Sequence, residues 1–161
     1  MAIEELRWWH IPELLDLEAD LFGDEQWSAA MFWSELAHGG YYRIAREGGR
    51  IVGYAGLAPA GPDQASIQNI AVRRDRQRRG VGEALLTDLL AEAERQGATQ
   101  VFLEVAVDNE QAQALYRRHG FRPVGVRRGY YQPSNTDALT MARASPATPM
   151  RSDRTSDRSD A

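Results

Sequence analysis

The chain has 161 residues, 43% hydrophobic and 26% charged, with a formal net charge of −4. That length suits one globular domain with a real core, and the mild acidity argues against direct nucleic-acid binding, which shows as a basic domain. There is no cysteine, and the three histidines, His10, His38 and His119, are scattered; disulfides, thiol nucleophiles and metal-ligand spacing are therefore excluded, and no metal is expected.

The N-terminus lacks a basic region followed by an apolar run, and no apolar stretch is long enough to span a bilayer. A cytoplasmic protein without a membrane partner, monomeric or weakly dimeric, is expected. Ile3 to Trp9 reads as a first strand, although Trp8-Trp9 serves equally as a core anchor before a helix. Pro12 suits a first helical turn, and Leu14, Leu17, Leu21 and Phe22 carry an apolar face to about residue 22. Ser28 is an N-cap for a second helix through Leu36, ending at Gly39-Gly40. Tyr41 to Arg46 and Ile51 to Ala58 form a hairpin across Glu47-Gly48-Gly49-Arg50, and Ala58 to Asp63 is a second turn.

Residues 65–72 read as strand four. A basic turn, Gln77-Arg78-Arg79-Gly80-Val81-Gly82, follows, and then a helix whose Val81, Leu85, Leu89 and Ala93 recur every fourth residue. Glycines at a helix start let backbone N–H groups approach a ligand that a β-carbon would hold off. The unpaired N–H groups and the positive end of the dipole favour an anion there, and arginines add bidentate phosphate contacts. The pattern is a pyrophosphate cradle, but neither common phosphate loop: Glu83-Ala84 stand where a Walker loop needs Lys and Ser or Thr, and Leu85 stands where a dinucleotide fingerprint needs its third glycine.

Gln100 to Val107 is nearly all apolar and reads as a central strand covered on both faces. Asp108 caps the next helix, with Gln111 completing a capping box; Ala112, Leu115 and Tyr116 form its inward side and Gly120 ends it. Phe121 to Val126 and Ala138 to Arg143 are the last strands, joined by a loop containing Arg127-Arg128-Gly129-Tyr130-Tyr131. From residue 144 the composition turns to Ser, Thr, Pro, Asp and Arg, so 1–143 is the expected domain and 144–161 a disordered tail. The order βααβββαβαββ gives an α/β (α+β) mixed sheet of about seven strands flanked by about four helices. Its strand–helix–strand unit over 65–107 requires a right-handed parallel crossover, with a ligand site at the carboxyl ends of those strands.

Two side chains stand out chemically. Glu104 has only apolar neighbours from Val101 to Val107; it is either desolvated, as a general base near a ligand, or paired with a cation. Tyr116 on the apolar side of its helix is either a core residue or a phenol able to protonate a leaving thiolate. His119, near the helix end, serves the dipole.

The turn at 77–82 resembles the Q/R-x-x-G-x-G/A turn of the GNAT family of N-acetyltransferases. With Leu103-Glu104-Val105, Asp108-Asn109, Ala114-Leu115-Tyr116-Arg117-Arg118-His119-Gly120-Phe121, Arg127-Arg128-Gly129-Tyr130-Tyr131, Asp137 to Met141 and Trp27-Ser28, it is similar to the RimI-type branch, bacterial ribosomal-protein alanine N-terminal acetyltransferases. The resemblance runs over residues 27–143. It implies the GNAT fold, acetyl-CoA as co-substrate and a protein N-terminus as acceptor, most of all the N-terminal alanine of a small-subunit ribosomal protein. It also implies backbone contacts from Ile70, Ala71 and Val72 to the acyl and pantetheine end, and Gln77, Arg78, Arg79, Gly80, Val81 and Gly82 on the pyrophosphate. Asn109 is implied near the pantetheine arm, Glu104 as base and Tyr116 as acid, with Tyr130 and Tyr131 lining the peptide slot. Gln26 replaces a proline frequent before the Trp-Ser pair, and Ala106 stands where some relatives carry arginine. Asp24, Glu25 and Glu35 either attract a basic peptide or form a solvated face; Arg127-Arg128 either grip a phosphate or carboxylate or lie exposed. The competing readings are a GNAT enzyme of a small amine, such as a polyamine or aminoglycoside, and a non-catalytic acyl-CoA-responsive module binding a partner.

Overall fold

The computed structural model describes residues 1–145. Strand β1 spans Ala2–Glu5, helix α1 Ile11–Phe22, α2 Ala29–Ala37, β2 Tyr41–Glu47, β3 Arg50–Gly61 and β4 Gln64–Val72. Helix α3 spans Val81–Arg95, β5 Gln100–Ala106, α4 Glu110–Arg118, β6 Arg122–Tyr131 and β7 Thr136–Ala144. The element order and the mixed sheet are as expected: one seven-stranded sheet runs β1-β2-β3-β4-β5-β7-β6. β4 and β5 are its parallel pair, and the other neighbours are antiparallel.

The periodicity of α3 is realised against one face. Leu85, Leu86, Leu89 and Ala93 pack with Ile67, Val101, Leu103, Val105 and Phe121, each fully buried leucine contributing roughly 1.5–3 kcal/mol. Leu14 and Leu17 of α1 and Phe32 of α2 cover the other face over Ile44, Ile51 and Tyr54. Those two helices lie over the β2–β4 half. Phe102, Glu104 and Ala106, which alternate with the buried Val101, Leu103 and Val105, are therefore only partly covered. β5 is not sheathed on both sides, contrary to its apolar run, because no helix crosses its second face.

Four boundaries differ from the sequence reading. β1 stops at Glu5; Leu6 is the buried residue, and its N–H bonds Tyr42 O at 3.0 Å. Trp8–His10 then form a 3-10 turn. Trp8 and Trp9 anchor no core: they are 58% and 57% exposed, Trp8 stacking on Trp33 at 6.2 Å. β3 runs through the expected second turn to Gly61; Pro59 fits there because pairing with β2 begins only at Leu57, so its missing N–H breaks no ladder on that side. The 127–131 stretch belongs to β6 rather than to a loop, since a bulge between Arg127 and Tyr131 keeps it on β7 and the turn moves to 132–135. Helix α4 is capped by Asn109, whose Oδ1 accepts from Ala112 N at 3.1 Å. Asp108 is not the cap and Gln111 closes no box, because Asn109 N–H first turns back onto Ala106 O. Residues 146–161 of the expected tail lie outside the described residues; Ala144 closes β7 and Ser145 N–H bonds Thr99 O at 2.8 Å. Among the described residues no helix is long and apolar enough to cross a membrane.

Gly56 lies opposite Tyr42 across the β2–β3 ladder, and a β-carbon there would come within 2.1 Å of the Tyr42 ring. Tyr42 in turn packs against Trp27, at the entry to α2. Gly56→Ala is expected to cost about 1–3 kcal/mol by overpacking, read from the urea midpoint; an unchanged midpoint would refute the close approach.

Candidate active site

β4 and β5 are paired only where Gln64, Ala65 and Ser66 face Gln100, Val101 and Phe102. Beyond that point the strands part, and the helix that follows each one starts at the open end. A cleft of about 550 Å³ fills the gap, lined from β4 by Ile70 and Val72, from the basic turn by Gln77, Arg78, Gly80 and Gly82, and from the α4 side by Asn109 and Tyr116. Ala71, Arg79 and Val81 do not line it: Ala71 and Val81 point their side chains into the core, and Arg79 is exposed. Glu83, Gln111, Ala112, Leu115 and Arg118 line it without having been singled out; the period of α4 placed Ala112 and Leu115 inward but could not say that inward meant facing a cleft.

The turn is built for an anion. Gly80 is the N-cap of α3 at φ +83°, a left-handed conformation that only glycine adopts cheaply. It brings no capping side chain, so the first-turn N–H groups lie open at the positive end of the dipole. Gln77 Nε2 donates to Val72 O at 3.1 Å and straps the turn to the strand end. A β-carbon on Gly82 would rest 3.6 Å from Val72 Cγ2 and 3.7 Å from Leu115 Cδ2, so any larger side chain there grows into the cleft between the two helices. Uncapped donors, Arg78 and Arg118 at the rim and a glycine-floored passage fit the diphosphate and the slender arm of a coenzyme A thioester. His119 Nε2 lies 3.0 Å from Glu83 Oε1 and clasps the end of α4 to the start of α3. Asn109 spends its Oδ1 on the helix cap, leaving its amide group to face the cleft.

Tyr116 is 8% exposed, edge-on to Phe121 at 5.9 Å. Its hydroxyl has no protein partner among the described residues, and burial pushes its pKa up to about 12. It is thus a protonated donor aimed at whatever occupies the cleft. Glu104 sits on the opposite, half-open face of β5, where Thr140 Oγ1 donates to Oε2 at 2.6 Å and Arg127 Nε lies 3.4 Å from Oε1. Glu104 is thus half-buried and paired with an exposed arginine rather than a buried cation, and its half-open face leaves the carboxylate accessible. Arg127 and Arg128 both lie exposed, and Arg127 is held by Glu104 rather than free for a phosphate; its guanidinium also lies 5.7 Å from the Tyr130 ring centre. Tyr130 and Tyr131 meet edge-on at 5.0 Å. Burial raises the Tyr131 phenol above its usual range, helped by the nearby Tyr130, Tyr116, Glu104 and Glu25. Of the residues singled out beyond the basic turn, Asn109 and Tyr116 line the cleft; Glu104, Tyr130 and Tyr131 do not, although Tyr131 lies near enough to Tyr116 and Glu104 to feel both. Glu25 Oε1 accepts from Ser134 N at 3.2 Å, joining the α1–α2 loop to the β6–β7 turn.

The sequence reading missed Glu18. It is fully buried on α1, where its Oε1 accepts from Tyr54 Oη and from Asn69 Nδ2 (3.2 Å) and its Oε2 from Trp27 N (3.0 Å). Burial raises its pKa to about 7 against the lowering effect of the Trp27 and Asn69 hydrogen bonds. The available signal was its place four residues after Leu14, on the stripe that packs inward.

An uncapped, basic helix start beside parted parallel strands, with a proton donor on the cleft wall and a carboxylate nearby, defines an acyl-CoA-dependent transferase. Residues 3–121 match the model of the Acetyltransferase (GNAT) family, and the chain belongs to that family of acetyl-CoA-dependent N-acetyltransferases. It is 47% identical over 135 residues to the N-alpha-acetyltransferase RimI of Mycobacterium tuberculosis, over 81% of this chain and 84% of that one. It is 32% identical over 142 residues to a putative ribosomal protein bS18-alanine N-acetyltransferase of Bacillus subtilis, over 87% and 93%. The crystal structure of the ribosomal-protein-S18-alanine N-acetyltransferase from Escherichia coli superposes with a TM-score of 0.80 at 30% identity, covering 94% of this chain and 97% of that one. The RimI-type resemblance is thereby borne out.

Gly82→Leu is expected to weaken acetyl-CoA binding at least tenfold in calorimetry, about 1.4 kcal/mol, with the thermal midpoint nearly unchanged; undiminished affinity would place the arm elsewhere. For Glu18 the pH effect has a definite sign. The folded carboxyl keeps its proton to about pH 7, whereas its reference pKa is 4.5, so this contribution is full below pH 4.5 and lost as pH rises through 7. It amounts to roughly 3 kcal/mol at most. In urea titrations the stability of the wild type relative to Glu18→Gln should fall between pH 5 and pH 8; a pH-independent difference would contradict the shift.

Proposed function

We propose that the enzyme acetylates the N-terminal α-amino group of a protein, the N-terminal alanine of a small-subunit ribosomal protein, by direct transfer from acetyl-CoA in a ternary complex. The observation that carries this reading is Tyr116 on the wall of the cleft between the parted β4 and β5, with Glu104 and the Tyr130–Tyr131 pair close to it around Tyr131. The names of the relatives, RimI and bS18-alanine acetyltransferases, support the acceptor class.

Glu104 accepts a proton from the incoming ammonium, whose solution pKa is near 8, leaving a neutral amine to form the new N–C bond. Thr140 and Arg127 hold the two carboxylate oxygens in place for this step. Main-chain N–H groups of Ile70 and Val72, on the β4 edge turned away from β3, stabilise the charge that builds on the thioester oxygen, an effect of roughly 3–4 kcal/mol per donor in other enzymes. Tyr116 gives its proton to the sulfur as the C–S bond breaks, the second proton of the new amide nitrogen leaves to solvent, and the phenolate regains a proton from solvent. The burial that makes the phenol hold its proton makes an unprotonated thiolate equally unwelcome, so the two high-energy anions are never both exposed to the apolar wall.

Glu104→Gln and Tyr116→Phe should each lower turnover at least tenfold while acetyl-CoA affinity stays within about twofold. Turnover would be measured against peptides varied in their first two residues, with spermidine as the competing acceptor. A clear preference for spermidine would move the enzyme to small amines, and unchanged turnover in both variants would remove the roles assigned to the pair.

A further inference from the structure

Glu18 takes no part in the transfer just described, yet it is the most deeply buried ionisable carboxyl in the described chain. An ion pair does not explain it: none of the described arginines bridges to it. Nor does stability near neutral pH, where the contribution of its raised pKa is largely lost; replacing buried hydrogen-bonding partners with hydrocarbon of the same shape is often nearly neutral, and the same stripe holds Leu14 and Leu17. Its three donors instead come from three separate parts of the molecule. Tyr54 lies in β3, Asn69 in β4, and Trp27 N–H in the irregular link before α2.

Asn69 is there because of a bulge. Gly56 pairs with Asn69 and Leu57 with Ile67, so Gln68 is an extra residue. The insertion turns Asn69 toward α1 and leaves the next residue, Ile70, facing the cleft. Asn69 Nδ2 also lies 2.7 Å from Tyr54 Oη, which closes the cluster. From Trp27 the connection continues through the 3-10 turn Gly23–Glu25 to Glu25, and from its carboxylate to Ser134 N, in the turn that follows Tyr130 and Tyr131.

We propose that Glu18 is a positioning residue of the acceptor slot: through Asn69 and Trp27 it registers the 23–28 link, and through Glu25 the double-tyrosine hairpin, against the strand segment that presents the acyl group. This rests on the acetyltransferase reading above and adds to it a residue that sets acceptor affinity from outside the slot. Glu18 touches neither substrate. Its loss therefore acts on the peptide and leaves the coenzyme alone, because the anion cradle hangs on Gln77 and Gly80 at the far side of β4.

The test uses the full chain at pH 8, above the Glu18 pKa of about 7, with Glu18→Gln, whose side chain keeps its size but turns a donor toward one of the three donors. Glu25→Ala, at a half-exposed position that does not challenge folding, breaks the far end of the same connection. Amide exchange at Trp27 and Ser134 should quicken at least tenfold in Glu18→Gln, with the amides of α3 unchanged. The KM for an alanine-led peptide should rise about tenfold, kcat staying within threefold and acetyl-CoA Kd within twofold. Glu25→Ala should move the peptide KM in the same direction, and the double variant should show less than the product of the two effects, as expected for links in one chain. Unchanged exchange at Trp27 and Ser134 would overturn the connection. A coenzyme Kd rising in step with the peptide KM, or fully multiplicative effects, would overturn the positioning role. A wild type that turns over no peptide would defeat the acceptor reading, and with it the slot, while the exchange data still decide whether the connection exists.

Discussion

The parting of two parallel strands is the constraint on which the rest of the molecule depends. A parallel pair offers regularly spaced main-chain donors and acceptors, and a sheet that abandons such a pair midway exposes them. Here β4 and β5 abandon it after three residue pairs. The exposed edge of β4 is the feature a thioester carbonyl and an amide-bearing arm can use, and each strand delivers a helix N-terminus to the same opening. The two apolar layers serve this arrangement: α3 and α4 hold the gap from one face, and α1 and α2 cover the other only as far as β4, leaving the second face of β5 open to an acceptor.

Charge is divided along the same line. On the coenzyme side are an uncapped helix start and arginines. On the other face of β5 are Glu104, Glu25 and the Tyr131 phenol, whose pKa burial raises. In the proposed transfer the coenzyme's anion and the acceptor's ammonium would come to the gap from these two faces, each toward complementary charge. The mild net acidity of the whole chain says little about either surface, because both are local.

Much of this was legible in the residues because it is local. The glycines at 80 and 82 after a basic turn announce an anion site within a few residues of chain, and the structure brings Gln77, Arg78, Gly80 and Gly82 to the cleft. Glu104 stood out against its apolar neighbours. What was not legible is non-local. Nothing in QVFLEVAV says that one face of β5 lacks a helix, since that depends on where α1 and α2 come to rest. The Arg127–Tyr131 stretch carries turn-like residues, and only pairing with β7 across a bulge holds it in the sheet. Asp108 and Asn109 are both good caps; the choice fell to Asn109 because its N–H was already tied to Ala106 O. Glu18 escaped notice because a charged residue on an apolar stripe reads as a snorkelling neighbour until its partners, Tyr54 and Asn69, are brought in from 36 and 51 residues away.

The closed end of the parted strands is fastened more firmly than the ladder alone would make it. Thr99 N–H bonds Asp63 O at 2.6 Å, its hydroxyl reaches Asp63 Oδ2 at 3.1 Å, and its carbonyl receives Ser145 N–H. This knot is the apex of a pair of dividers. With about 3.3 Å of rise per residue, the six positions from Ile67 to Val72 make arms of about 20 Å, so a swing of roughly 3° at the apex displaces the tips by about 1 Å. The width at the tips is thus set jointly by the ladders that hold β4 to β3 and β5 to β7 and by this apex, which lies outside the cleft's own lining.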